Sequence, residues 1–249
     1  MLMLREKNTW NSVKRLALDE IAMRKGHQDF VTVVGDIERG DLLEVIDSHR
    51  SEDMIEVLQQ QPIEVRAQVE EVSIDMWGGF PKVVAQVFPN AVLVYDRFHV
   101  MKLVNSELNK LRKTVGMTRR GSRFLLLKNQ ANLTEEERLK LEQVLSYSCC
   151  LRIAYELKEE FRQIYQTART PQSGKRRFQA WLAHAQQLYQ ESCQTIHDHL
   201  DGICNYFISH SSSGAMEGIN NRIKLIKRQG YGFTNFDNFR NRLLACFSD

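Results

Sequence analysis

The first hundred residues alternate strand-like and helix-like stretches, and three strand-like ones come first. Residues 15–23, RLALDEIAM, form a short apolar run interrupted by an acidic pair. Residues 29–37, DFVTVVGDI, are rich in β-branched side chains, and residues 42–47, LLEVID, repeat the pattern. Between them ERGD (38–41) has the composition of a hairpin turn. Three strands joined by short connections predict an antiparallel meander.

The period then changes. SEDMIEVLQQQP (51–62) predicts a helix with Ser51 as its N-cap and Pro62 as its stop. EVSIDMW (71–77) predicts a fourth strand closed by Gly78 and Gly79. PKVVAQVF (81–88) predicts a short helix with Pro81 in its first turn, and AVLVYDRFHV (91–100) a fifth strand. The order β-β-β-α-β-α-β, with a helix between the last two strands, implies a parallel crossover and a mixed α/β sheet. From 101 to 212 strand signals vanish and helical spacing dominates, with a capping box at Thr134 and Glu137. The expected organisation is an amino-terminal remnant (1–14), a first part of an α/β core (15–100), an all-helical insertion (101–212) and a returning helical part of the core (213–249).

Bulk properties narrow the function classes. A net charge of +3 does not make the chain a polycation, so any nucleic-acid surface must come from local clustering. No apolar run approaches the roughly 20 residues that span a bilayer. The start, MLMLREKNTWNSVKR, lacks a signal-peptide pattern, so a cytoplasmic setting is expected. The five cysteines form no C-x-x-C pair. They are expected to be small buried hydrophobes rather than zinc ligands or disulfides.

Chemistry is sought where acids interrupt strands. Asp19 lies inside LALDEIA, Asp75 follows VSI and Asp96 follows VLVY. Carboxyl ends of parallel strands open onto the ligand-binding edge of such sheets. Carboxylates gathered there repel unless a cation sits among them, and all-oxygen ligands suit Mg²⁺ or Mn²⁺. The alternative for each aspartate is a turn cap, the reading preferred for Asp36 and Asp47; Asp29 and Asp41 read as solvated.

The carboxyl-terminal stretch GAMEGINNRIKLIKRQG (214–230) has one acid followed only by bases and amides. At 100° per residue Glu217, Asn220, Asn221, Lys224 and Arg228 share one face, and Ile219, Ile223 and Ile226 the other. A solvated helix would mix acids with bases; this one has the pattern of a phosphate contact. In the helical block, Trp181 beside Lys175, Arg176 and Arg177 is either a core tryptophan or a base-stacking platform. HDH (197–199) reads as solvated.

Three stretches together resemble the DDE transposases of bacterial insertion sequences, most closely the family named after the L-three element. They are LALDEIAMRKGH (16–27), VSIDMWGGFPKVVAQVFPNAVLVYDRFHVMKLVN (72–105) and GAMEGINNRIKLIKRQGYGFTNFDNFRNRLL (214–244). The resemblance implies a ribonuclease-H-like sheet interrupted by an all-α insertion before the last catalytic helix. It implies Asp19, Asp75 and Glu217 as catalytic acids holding two Mg²⁺ or Mn²⁺ ions. Asp96 and His99 of DRFH would support them, His99 orienting a phosphate or contacting Asp96. Asn220, Asn221, Lys224, Lys227, Arg228 and Lys25 would face DNA, with His27 beside Lys25 in the same pattern. Double-stranded DNA, as element ends and target, is the implied partner, with a homo-oligomer on the DNA and no membrane. The implied reaction is strand cleavage and 3′-hydroxyl strand transfer. The zinc and helix-turn-helix region that such transposases carry at the amino terminus has no counterpart in this sequence. Two rivals therefore stand beside this reading: a non-catalytic DNA-binding remnant that inhibits a full-length transposase, and a metal-dependent nuclease that cuts without joining.

Overall fold

The computed structural model describes residues 10–24, 28–211, 214–230, 233 and 235–247. The chain divides into two compact units, one formed by residues 1–96 with 211–249 and the other by 97–210.

The first unit is built on five strands: β1 (Arg15–Arg24), β2 (Gln28–Asp36), β3 (Asp41–Ile46), β4 (Glu71–Ile74) and β5 (Val92–Tyr95). Their spatial order is β3-β2-β1-β4-β5. β1–β2 and β2–β3 pair antiparallel, and β1–β4 and β4–β5 parallel, so the expected mixed sheet is present. The β2–β3 turn is closed by chemistry local to Asp36, whose buried carboxylate accepts from the amides of Glu38 and Arg39. Gly40 takes the left-handed conformation (φ +78°) that the turn needs.

Helices α1 (Ser51–Leu58), α2 (Ile63–Arg66) and α3 (Phe80–Val87) connect the strands. Three boundaries differ from the sequence expectation. Helix α1 ends four residues before Pro62, and its N-cap is Arg50 without a side-chain cap. Ser48 organises that corner instead, donating to Asp53 at 2.6 Å and accepting from the Arg50 amide. β4 stops at Ile74, because the Asp75 carboxylate captures the Trp77 amide at 2.7 Å and turns the chain. β5 stops at Tyr95, and RFHV begins a helix rather than ending a strand.

The second unit is all-helical: α4 (Arg97–Thr114), α5 (Ser122–Leu127), α6 (Glu135–Leu145), α7 (Cys149–Thr167), α8 (Pro171–Ala185), α9 (Gln190–Asp198), α10 (Leu200–Cys204) and α11 (Tyr206–Ser209). The capping box at Thr134 and Glu137 is formed. Phe161, Tyr165, Phe178 and Trp181 interlock at centroid distances of 4.7–5.8 Å. Trp181 is fully buried and donates its indole N–H to the Leu157 carbonyl, so the core reading holds and no stacking platform exists there. Lys158, also fully buried, donates to the Leu126 and Lys128 carbonyls that close α5. Burial lowers its pKa to about 8 while Glu159 beside it acts in the opposite direction. Cys193 and Cys204 are buried as expected, but Cys149 and Cys150 are exposed in the first turn of α7. No helix of the described residues is long and apolar enough to cross a membrane.

The chain returns to the first unit with α12 (Gly214–Gln229) and α13 (Phe236–Phe247). Met216, Ile219, Ile223 and Ile226 of α12 share one apolar cluster with Ala17, Ile21, Val31 and Val33 of the sheet and Phe239 and Leu243 of α13. The close approach requires Gly35, where a Cβ would stand 2.7 Å from the end of Ile219 and 3.2 Å from the Met216 sulfur. Arg240 anchors α13 through two 2.5 Å hydrogen bonds to the buried carboxylate of Glu44 on β3.

Candidate active site

Strand register gathers the acids. β1 and β4 align Leu18 with Ile74, and β4 and β5 align Ile74 with Tyr95. The next row across the three parallel strands is therefore Asp19, Asp75 and Asp96. Side chains alternate between faces along a strand, so Ala17, Asp19 and Ile21 share one face. Ala17 and Ile21 belong to the cluster under α12, so Asp19 interrupts the apolar surface that α12 covers.

The carboxylates of Asp19 and Asp75 have oxygens within 4.8 Å of one another, and both residues are partly exposed. Glu20, the next residue on β1, feels both. Its pKa rises to about 7, first through burial, then through the charges of Asp75 and Asp19. Its Oε1 is buried with no hydrogen-bond partner among the described residues. Hard oxygen donors, concentrated negative charge and an orphaned carboxylate oxygen fit a divalent cation. Asp96 occupies the outer place in the row, its amide donating to the Ile74 carbonyl. His99 falls in the first turn of α4, within the helical unit, and not at a strand end as the sequence suggested. Its Nδ1 is buried without a hydrogen-bond partner among the described residues.

Helix α12 supplies the remaining expected residues, with two corrections, Asn220 and Lys227, which turn to β1 rather than outward. Asn220 is not on the exposed face. It is 8% exposed, and its amide nitrogen donates to Asp19 Oδ2 at 2.6 Å. Its Oδ1 is buried and has no partner among the described residues. Glu217, Asn221, Lys224 and Arg228 are exposed. Lys227 is turned to the sheet, where its ammonium donates to the Ala22 carbonyl of β1 at 3.2 Å and burial lowers its pKa. Arg222 donates to the Cys246 carbonyl and lies 4.4 Å over the Phe247 ring, tying α12 to α13. Lys25 and His27 lie outside the described residues. Sequence reasoning did not single out Glu20 or the Glu44–Arg240 pair. An acid directly after a strand aspartate was the available signal for Glu20; nothing local marks the pair, whose partners are 196 residues apart.

A family model described as a transposase, that of the L-three DDE type, matches residues 16–243. The chain belongs to the L-three family of DDE transposases. Two curated transposases align with nearly all of it. That of insertion sequence element IS1001 from Bordetella parapertussis is 28% identical over 253 residues, covering 96% of this chain and 62% of the relative. That of IS1557 from Mycobacterium tuberculosis is 25% identical over 257 residues, covering 89% and 57%. A Lactococcus lactis protein named ATP-dependent protease is 32% identical over 120 residues, covering 47% of this chain and 36% of that protein. This transposase-family chain thus spans about three fifths of the length of the two curated transposases. Membership carries with it a requirement for a divalent metal, which the carboxylate site can meet.

Proposed function

We propose that this chain is the catalytic core of an insertion-sequence transposase, a metal-dependent polynucleotidyl transferase acting on double-stranded DNA at element ends and target. Its sheet is read as the ribonuclease-H-like core and residues 97–210 as the helical insertion. The carrying observation is the pairing of Asp19 and Asp75 in one register row, oxygens within 4.8 Å, in a chain of this family.

In this reading Asp19 and Asp75 hold divalent cations, two Mg²⁺ or Mn²⁺, with Glu217 as the third acid. A pair of such ions stabilises charge on the attacking and leaving oxygens of an in-line displacement. Water replaces the 3′-oxygen at a phosphorus, leaving a 5′-phosphate and a free 3′-hydroxyl. That hydroxyl then displaces the 3′-oxygen of a target phosphodiester, so one bond forms for each bond broken. Lys224 and Arg228, exposed on α12 beyond Glu217, hold phosphates near the acids, and Asn221 donates to them. Glu217 stands in the first turn of α12, at the positive end of the helix dipole. His99 orients a phosphate and Asp96 supports the row. The active species is a homo-oligomer assembled on DNA.

The test is a strand-transfer assay with pre-cleaved ends and Mg²⁺. Joined product is expected from the wild type and none from Asp75→Asn or Glu217→Gln. Cleavage without joining would replace this reading with the nuclease, and neither activity, with DNA binding kept, with the inhibitory remnant.

A further inference from the structure

We propose that Asn220 and Lys227 are positioning residues that set α12 in register on β1. The inference rests on reading Asp19, Asp75 and Glu217 as the metal-holding acids. Among the described residues two hydrogen bonds join helix to strand: Asn220 to the Asp19 carboxylate and Lys227 to the Ala22 carbonyl. On the helix these residues are seven positions apart, which is about 10 Å at 1.5 Å per residue. On the strand their partners are three positions apart, again about 10 Å at 3.3 Å per residue. The spacings match, and both contacts advance in the same chain direction. Helix and strand therefore run parallel, pinned at two points, with Ile223 packed between the pins.

Packing alone would not place Asn220 there. Its side chain is more than nine-tenths buried, and its Oδ1 accepts no hydrogen bond among the described residues. An unmet buried acceptor opposes folding. What the amide achieves is orientation. Its donor points at Asp19 Oδ2 and restricts how that carboxylate presents its other oxygen, which accepts from the Glu20 amide at 2.8 Å. Glu217 precedes Asn220 by three residues and so lies on the neighbouring turn of the same side of the helix. Fixing Asn220 fixes where Glu217 starts its reach. Lys227 does the equivalent at the far end, so the helix neither slides nor rotates on the strand. A helix held only by isoleucines could do both.

The experiment titrates Mn²⁺ into the full-length chain without DNA and follows amide exchange in α12. Asp75→Asn is expected to abolish Mn²⁺ binding. Asn220→Ala is expected to weaken it about 10–100-fold, the usual loss when a ligand's orienting partner is removed. Asn220→Gln, which keeps the amide donor, should regain part of that loss, as lost packing alone would not allow. In the Asn220→Ala/Lys227→Met double variant, α12 amides should exchange at least tenfold faster. Lys227→Met should leave the salt dependence of DNA binding unchanged, whereas a phosphate contact would lower its slope by about one. Unchanged Mn²⁺ affinity in Asn220→Ala beside loss in Asp75→Asn overturns the role of Asn220. A reduced salt slope overturns that of Lys227. If Asp75→Asn binds Mn²⁺ like the wild type, the metal reading fails instead, and α12 exchange alone decides the register clamp: acceleration upholds it and unchanged exchange overturns it.

Discussion

At the residue scale, the density of negative charge at the strand ends has a measurable signature. The pKa of Glu20 is raised from 4.5 to about 7, first by partial burial and then by the charges of Asp75 and Asp19. Its folded pKa is raised, so the native state holds a proton that the unfolded chain has released. Stability should therefore be highest below pH 4.5 as far as this group is concerned, fall between pH 4.5 and 7, and level off above. Partial exposure limits the loss to about 1–2 kcal/mol. Thermal melts of the metal-free chain should show this decline, and Glu20→Gln should flatten it. A Glu20→Gln variant with the wild-type pH profile would contradict the assignment. Asn220 shows what a helical wheel can and cannot give. The wheel places it with the polar residues Glu217, Asn221, Lys224 and Arg228. It cannot show that Asn220 turns inward, because the polar group that receives it, Asp19, is 201 residues away in sequence.

At the scale of elements, α12 has two faces with separable consequences. Its outer cations, Lys224 and Arg228, are exposed. Replacing each by Gln should weaken DNA binding uniformly across sequences and lower the salt slope by about one per phosphate contact, measured as log Kd against log salt. Its inner face depends on Gly35. Valine there would meet Ile219, an overpacking penalty of about 1–3 kcal/mol. Melting curves should drop by several degrees, and Ile219→Ala in the same chain should restore part of the loss. The strands themselves were legible from alternation, and the sheet's mixed character from the helix between β4 and β5. The ends of β4 and β5 were not. Apolar residues after Tyr95 suit a strand by composition, but Val100, Met101, Val104 and Leu108 recur at helical spacing and are buried by α4. Asp75 ends β4 by bonding to the chain two residues ahead, a choice that local propensity does not decide.

At the scale of the whole molecule, the second unit carries its own interior. Trp181, Phe161, Phe178 and Tyr189 are fully buried, and their hydrogen bonds and ring contacts stay within residues 97–210. Residues 97–210 expressed alone are expected to fold, with a cooperative melt and a near-ultraviolet circular dichroism signal from the buried aromatics. A featureless near-ultraviolet spectrum would show that this unit needs the rest of the chain. The first unit is assembled from both ends of the sequence, since α12 and α13 pack on a sheet formed by residues 15–95. The loss of strand signals near residue 100 marks where the helical block begins in the sequence. Which helix covers which strand was not visible, since that is fixed by contacts across nearly two hundred residues.

The covering of β1 and β2 by α12 also sets an order in time. A ribosome adds about 5–20 residues per second. Ala17, Ile21, Val31 and Val33 are made early, and the isoleucines that cover them follow only after residue 214. For roughly ten seconds or more at that pace, the nascent sheet presents an uncovered apolar face. The helical unit is finished in the interval, before α12 and α13 can dock. A chain that stops before residue 214 therefore lacks α12 and leaves the apolar face of β1 and β2 uncovered.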